Sequence, residues 1–202
     1  MFITIEGGEG SGKTTLLNRL YDHLTAQGQS VIKTREPGGT PLGEQIRHLI
    51  LHAKEFDLKT RTELFLFLAD RAQHIERIIK PAIEQNQTIL CDRFTDSTIA
   101  YQGLARGLPT KQLQELCDIA ADGITPDLTF FVDIDPPEGL RRVLEKRGDS
   151  FDRIESETIA FHAKVREAFL ILAERNPDRI KVLNGNLTPD EVFNAALECL
   201  SR

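Results

Sequence analysis

Short unbroken apolar runs alternate along this chain with longer stretches in which apolar residues recur every three or four positions. The runs cover residues 2–5, 31–34, 88–91, 128–132 and 180–183. Each predicts a strand buried on both faces. Leu16, Leu17, Leu20 and Leu24 mark a helix that stops at Gly28. Thr40 followed by Pro41 predicts an N-cap and a first helical residue, for a helix running to about His52. The longest helical pattern begins at Asp57 or Thr60 and carries Leu64, Phe67, Leu68, Ala72, Ile75, Ile79, Ala82 and Ile83 inward. Pro81 is expected to kink it or end it early, and Phe65, on another face, is expected in the core. A helix near Asp96 or Ser97 is expected to break at Gly103 and Gly107. Another spans about 110–121 with Leu113, Leu116 and Ile119 inward. Asp135–Pro136 starts a helix with Leu140, Val143 and Leu144 inward. Residues 148–155 read as a charged, mobile segment. Ser156 begins a helix that Asn176–Pro177 ends, and Thr188 with Glu191 forms a capping box for the last one, with Pro189 in first position.

Strands separated by helices predict an α/β three-layer domain, with a five-stranded parallel sheet covered on both faces and no linker dividing residues 1–202. Ligands of such sheets sit beyond the carboxyl ends of the strands. The loops there begin at Glu6, Arg35, Asp92, Asp133 and Asn184, and four of those five residues are charged. A net charge of -6 argues against a general nucleic-acid or anionic-membrane surface. No apolar run approaches membrane-spanning length, and the N-terminus reads as the first strand. Cys91, Cys117 and Cys199 are widely spaced and odd in number, which fits a reducing cytoplasm. The five histidines have no metal-ligand spacing and read as surface or structural.

The first strand runs into Gly7-Gly8-Glu9-Gly10-Ser11-Gly12-Lys13-Thr14, which fits G-x-x-x-x-G-K-[ST] between a strand and a helix, the context this phosphate-binding loop requires. Backbone N–H groups and the helix N-terminus cradle phosphate oxygens. Lys13 reaches the outer phosphates, and the Thr14 hydroxyl can ligate Mg²⁺. A switch GTPase would need a guanine-reading N-K-x-D, and none occurs. A remodelling ATPase would usually place Asp-Glu after a strand, but Asp92 precedes Arg93 and Asp133 precedes Ile134. A kinase with a phosphorylated acceptor needs several cations to bring two anions together. Arg35 and Arg93 follow strands at the ligand edge, and Arg147 and Arg153 lie in the charged segment.

With the P-loop, the stretches Arg35-Glu36-Pro37-Gly38-Gly39-Thr40, Phe67-Leu68-Ala69-Asp70-Arg71, Asp92-Arg93-Phe94, Ser97 to Gly103, Arg147-Gly148-Asp149 and Phe151-Asp152-Arg153 resemble bacterial thymidylate kinases over nearly the whole chain. The resemblance implies Mg²⁺-dependent transfer of the ATP γ-phosphoryl to dTMP, giving dTDP for dTTP synthesis. It implies ATP contacts from Gly7 through Thr15 and from Asn184 and Gly185, and acceptor contacts from Glu9, Arg35, Phe67, Arg71, Arg93, Ser97, Thr98, Tyr101 and Gln102. Phe67 would stack on thymine and Arg71 donate to its O4, with Gln102 at the N3–H edge and Tyr101 against the sugar. Thr14, Asp92 and Glu36 are the implied metal-side residues; Glu36 is also a candidate to orient an arginine, and equally reads as a helix-entry residue. Glu9 is implied at the sugar 3′-hydroxyl or at Mg²⁺ through water. Some family members carry a catalytic arginine in the P-loop. Here that place is Gly10, so Arg147 or Arg153 of a lid over about 147–155 must supply the charge beside Lys13 and Arg93. A homodimer packed through helices is also implied. The alternatives are a kinase for another nucleotide or a nucleoside, and a nucleotide-binding regulator without turnover.

Overall fold

A computed structural model describes residues 1–52, 56–147 and 151–200, with the backbone alone at Arg147. Five strands form one parallel sheet in the order β2-β3-β1-β4-β5: β1 Phe2–Glu6, β2 Val31–Arg35, β3 Thr88–Asp92, β4 Leu128–Asp133 and β5 Ile180–Asn184. Every residue of β1 is buried, as its unbroken apolar run requires of the central strand. The chain leaves β1 for β2, returns to β3, then crosses to β4 on the other side. The strand order therefore reverses around β1, where a ligand crevice opens in such sheets.

The helices are α1 Lys13–Ala26, α2 Pro41–Leu51, α3 Thr60–His74, α4 Lys80–Glu84, α5 Thr95–Thr98, α6 Thr110–Ala120, α7 Pro136–Arg147, α8 Ile159–Arg175 and α9 Pro189–Leu200. The leucines expected to face inward on α1 are all buried. Thr40 caps α2 by accepting from the Gly43 N–H at 2.9 Å. Thr188 and Glu191 form the expected reciprocal cap, with N–H to carboxylate at 2.9 Å and N–H to hydroxyl at 3.3 Å. Phe131 and Phe169 stack at 5.0 Å and tie β4 to α8.

Several expectations are corrected. Pro81 does not end its helix early, since α4 runs on to Glu84. A wide π turn over Ile75–Ile79 joins α3 to α4 just before it. The extra residue per turn relieves the clash of the proline ring with the preceding carbonyls and rotates the inward face. Ile83 is consequently exposed, and so is Ala72 at the end of α3. Gly103 does not break its helix either. It sits inside a second π segment, Ile99–Ala105, where a Cβ would come within 3.0 Å of the Leu113 side chain, and the turn comes at Gly107. Ile119 is 76% exposed and Phe65 53% exposed, while Cys117 takes the inward position on α6. Leu144 is also exposed on α7. The last long helix starts at Ile159 rather than Ser156, capped by Thr158, because residues 153–156 form turns. Gly148 and Asp149 lie outside the described residues.

Candidate active site

The five strands end at Glu6, Arg35, Asp92, Asp133 and Asn184, and the site is built on those ends. The loop after β1 wraps through positive φ at Gly7, Gly10 and Gly12 into α1. Lys13 is buried and its Nζ donates to the Gly8 carbonyl at 2.7 Å. Burial, together with the Arg93 charge, lowers its pKa. The Ser11 hydroxyl is buried without a partner among the described residues. A cleft of about 1180 Å³ opens over the loop, lined by Glu9 through Thr15, by Arg142 and Lys146 of α7, and by Gly185. That volume accommodates a nucleoside triphosphate. The Asn184 carboxamide closes its own turn onto Asn186 N–H at 3.0 Å, and Arg142 holds the Gly185 carbonyl at 2.9 Å.

A contact that sequence reasoning missed supports the loop from behind. A Cβ on Gly10 would lie 2.0 Å from the Gly139 carbonyl oxygen, and one on Gly139 would lie 2.2 Å from the Glu9 carbonyl oxygen. The P-loop therefore rests backbone against backbone on the first turn of α7. A side chain at Gly10 would force this turn to move, so the loop has no room for an arginine at that position.

Glu9 and Arg93 form the centre. Arg93 has φ 72°, a left-handed conformation that a side chain adopts only when its surroundings hold it there. Its guanidinium donates to the Gly7 carbonyl at 2.9 Å, to Ser97 Oγ at 3.2 Å and to Glu9 at 2.7 Å. The Tyr101 hydroxyl also donates to Glu9, at 2.9 Å. Burial would raise the Glu9 pKa, but the charges of Arg93 and Lys13 and the Tyr101 hydroxyl outweigh it and bring it to about 2. Glu6, fully buried, accepts from Phe94 N–H at 2.7 Å and from Ser97 Oγ at 2.5 Å, which pins the start of α5 to the end of β1. Burial and the Asp96 charge push its carboxyl upward.

A second cavity adjoins the first. It is lined by Phe67, Arg71, Ser97, Thr98, Tyr101 and Gln102, and also by Glu9, Glu36, Arg47 and Arg93. The structure thus brings together every expected acceptor residue except Arg35, which is half exposed and paired with Glu44 at 2.7 Å. Arg71 is fully buried; it donates to Glu36 at 2.8 Å and to Thr98 at 3.1 Å. Both Glu36 oxygens are taken, one by Arg71 and one by His74 Nδ1 at 2.8 Å. Glu36 thus orients Arg71 here, with one hydrogen bond on each of its oxygens. Arg153 donates to the Ile50 carbonyl at 2.7 Å and pairs with Glu63, away from the P-loop. The Arg147 side chain lies outside the described residues.

Sequence reasoning missed Arg47 on α2. It donates to the Pro37 carbonyl at 3.0 Å and lines both cavities. Burial first, and then the nearby Arg35 and Arg93 charges, lower its pKa. The available signal was its place on α2 four residues after Gly43 and three before Ile50, both buried.

Mg²⁺ prefers oxygen ligands and leaves most of its positions to water and substrate phosphates. The Thr14 hydroxyl, 3.3 Å from Asp92 Oδ2 at the cleft wall, fits that chemistry.

Asp70 carries a pH signature. Its Oδ1 accepts from Gly38 N–H at 3.0 Å, while Oδ2 is buried without a partner among the described residues. Burial and the Glu36 charge push it up to about 7 from 3.8. Between those values the native state holds a proton that the unfolded chain has released, so stability falls as pH rises toward about 7. The raised Glu6 acts in the same direction. The lowered Glu9 acts oppositely, its contribution being lost as pH falls from 4.5 toward about 2. The urea midpoint is therefore expected to peak near about pH 4, where the Glu9 gain gives way to the Asp70 and Glu6 losses, and to decline toward pH 8. Asp70→Asn keeps the acceptor for Gly38 and should flatten the alkaline decline. An equally steep decline in the variant would show that Asp70 does not titrate there.

A glycine loop on a parallel sheet, a buried lysine, and a cation-lined second cavity define a P-loop phosphotransferase with two adjoining substrate sites. Residues 5–196 match the thymidylate kinase family. The thymidylate kinase of Protochlamydia amoebophila is 52% identical over 98% of this chain and 91% of its own length. That of Nitratidesulfovibrio vulgaris is 46% identical over 99% and 95%. The crystal structure of thymidylate kinase from Ehrlichia chaffeensis superimposes with a TM-score of 0.79 at 36% identity, over 99% of this chain and 98% of that one. The chain belongs to the thymidylate kinase family, and it is a phosphotransferase that phosphorylates dTMP. ATP is the family's phosphoryl donor.

Proposed function

We propose that the larger cleft holds ATP on residues 7–15 and the adjoining cavity holds dTMP, with transfer occurring where the two meet. The observation that carries this is that Glu9, Arg47 and Arg93 line both cavities. Arg93 and Arg47 stand where two phosphate groups would approach, and guanidinium binds phosphate bidentately while staying charged. Lys13 leaves the Gly8 carbonyl for the outer phosphates. Mg²⁺, held beside Thr14 and Asp92, would neutralise charge on the phosphates, with Glu36 as a further candidate ligand. Arg35, freed from Glu44, adds a further cation for the acceptor phosphate, and Ser97 steadies Arg93. Asn184 and Gly185 border the adenine end.

Phe67 stacks on thymine. Arg71 keeps two of its five N–H groups after serving Glu36, Thr98 and Cys117, and these suit the O4 carbonyl. Tyr101, fixed by Glu9, faces the sugar and crowds a ribose 2′-hydroxyl. Residues 147–155 act as a lid on a single catalytic domain spanning 1–202, and bring Arg147 or Arg153 over the reactants. A homodimer is supported by exposed Leu42, Leu49, Phe65 and Ile119 on α2, α3 and α6, which pack side by side. The free cysteines, and the lack of a helix long and apolar enough to cross a membrane among the described residues, suit a cytoplasmic enzyme.

The test is ADP release with dTMP, dUMP, dCMP, UMP and thymidine as acceptors, in the parent and in Arg147→Ala and Arg153→Ala. The dTMP rate should lead. At least one variant should lose about tenfold or more in kcat with little change in dTMP affinity, given the roughly 10³–10⁵ that such arginines supply in related chemistry. Thymidine turning over as fast as dTMP would reject the acceptor-phosphate site, and unchanged kcat in both variants would reject the lid arginine.

A further inference from the structure

Glu63, on α3, takes no part in the assignments above, yet it is almost wholly buried. It stands four residues before Phe67 and eight before Arg71, on the helix stripe that faces the acceptor cavity. Its carboxylate accepts from Gln102 Nε2 at 2.7 Å, from Arg106 Nε at 3.0 Å, and from Arg153. Arg106 is held in turn by Glu157 at 2.9 Å and lies over the Phe161 ring at 4.9 Å.

A side-chain amide has one donor end and one acceptor end, and its neighbours decide which points where. A carboxylate gripped by two guanidinium groups offers only acceptor oxygens, so the Gln102 NH₂ must face Glu63. Its carbonyl oxygen is then directed away from Glu63. Gln102 lines the acceptor cavity and Glu63 does not. Among the described residues no protein group donates to that oxygen.

We propose that Glu63 is a positioning residue for base selection: it locks the Gln102 amide with its carbonyl toward the base, so that the site accepts a ring N–H and rejects a ring-nitrogen lone pair. This rests on the acceptor cavity holding dTMP as proposed above. The lock discriminates between bases of the same shape, because a lone pair facing the Gln102 oxygen would leave two buried acceptors unsatisfied.

The probe is 5-methyl-dCMP, which has the outline of dTMP but an acceptor at N3. The quantity is the ratio of kcat/KM for dTMP to that for 5-methyl-dCMP. The Arg71 contribution to this ratio is common to all the variants. Glu63→Gln can both donate and accept, which frees Gln102 to turn over, and the ratio should fall about tenfold. Gln102→Ala should lower it similarly, and the double variant should fall no further than Gln102→Ala alone, because Glu63 acts through Gln102. Glu63→Asp keeps the charge for Arg106 and Arg153 but withdraws the acceptor from Gln102. It should lower the ratio while melting near the parent temperature, and it decides the matter if Glu63→Gln does not fold. A melting temperature that falls while the ratio stays unchanged, or losses that multiply in the double variant, would overturn the role of Glu63. An unchanged ratio in Gln102→Ala would instead overturn the base site itself.

Discussion

Gly139→Ala is expected to lower kcat/KM for ATP about 100-fold, although helix propensity alone predicts a gain. Gly139 lies in the first turn of α7, and alanine there favours a helix by about 1 kcal/mol. The tertiary contact decides otherwise. The new methyl would sit 2.2 Å from the Glu9 carbonyl oxygen, a backbone atom that cannot swing aside as a side chain would. Either α7 or the tip of the P-loop must move. Moving the loop displaces Glu9, and with it the carboxylate that holds Arg93 at 2.7 Å and Tyr101 at 2.9 Å. A shift of roughly 1 Å in a positioning element can cost about 10²-fold in rate. Steady-state kinetics and a melting curve separate the two effects. A melting temperature raised by the propensity gain, with kinetics unaltered, would mean that the loop does not depend on this approach.

Glu36→Ala is the second large effect. Arg71 is fully buried, and burial would lower its pKa were it not for the Glu36 charge, which leads the groups that raise it. Removing one partner of a buried ion pair leaves an uncompensated charge and costs about 3–5 kcal/mol. For a chain of this size that corresponds to roughly 10 °C in melting temperature. His74 Nδ1 loses its acceptor as well. The surviving protein should show a KM for dTMP raised far more than that for ATP, because Arg71 is no longer aimed into the acceptor cavity. The Mg²⁺ concentration for half-maximal rate distinguishes the two roles open to Glu36. It should stay unchanged if Glu36 only orients Arg71, and a pronounced rise would place the carboxylate at the metal instead.

Both variants act at joins between elements far apart in the chain, and such joins mark the limit of what local patterns reveal. The five strands were legible because a strand buried on both faces must be apolar throughout. The P-loop was legible because its chemistry dictates residue type and spacing within eight consecutive positions. The acceptor residues Phe67, Arg71, Thr98 and Gln102 were legible as helix-face pairs, and all four line one cavity. Arg35 shows where such inference stops. Its place at the ligand edge was correct, although it closes β2 rather than following it, and the strand end alone did not reveal that Glu44 would occupy its guanidinium. The inward faces of α3 and α6 were misjudged at Phe65 and Ile119 for a related reason. Hydrophobicity marks a residue for burial without saying which neighbours stand near enough to cover it.

The amino-acid order by itself determined the layering, the phosphate cradle and the charged edge of the sheet, because those follow from periodicity and from rules acting over a few residues. Tertiary structure alone decided that Gly139 must be bare, that Glu36 serves Arg71, that Arg47 joins Arg93, and that Glu63 orients Gln102. Each depends on which atoms meet across sequence separations of 35 to 130 residues. Steric exclusion and the pairing of buried charge act through space, and no local signal along the chain encodes those meetings.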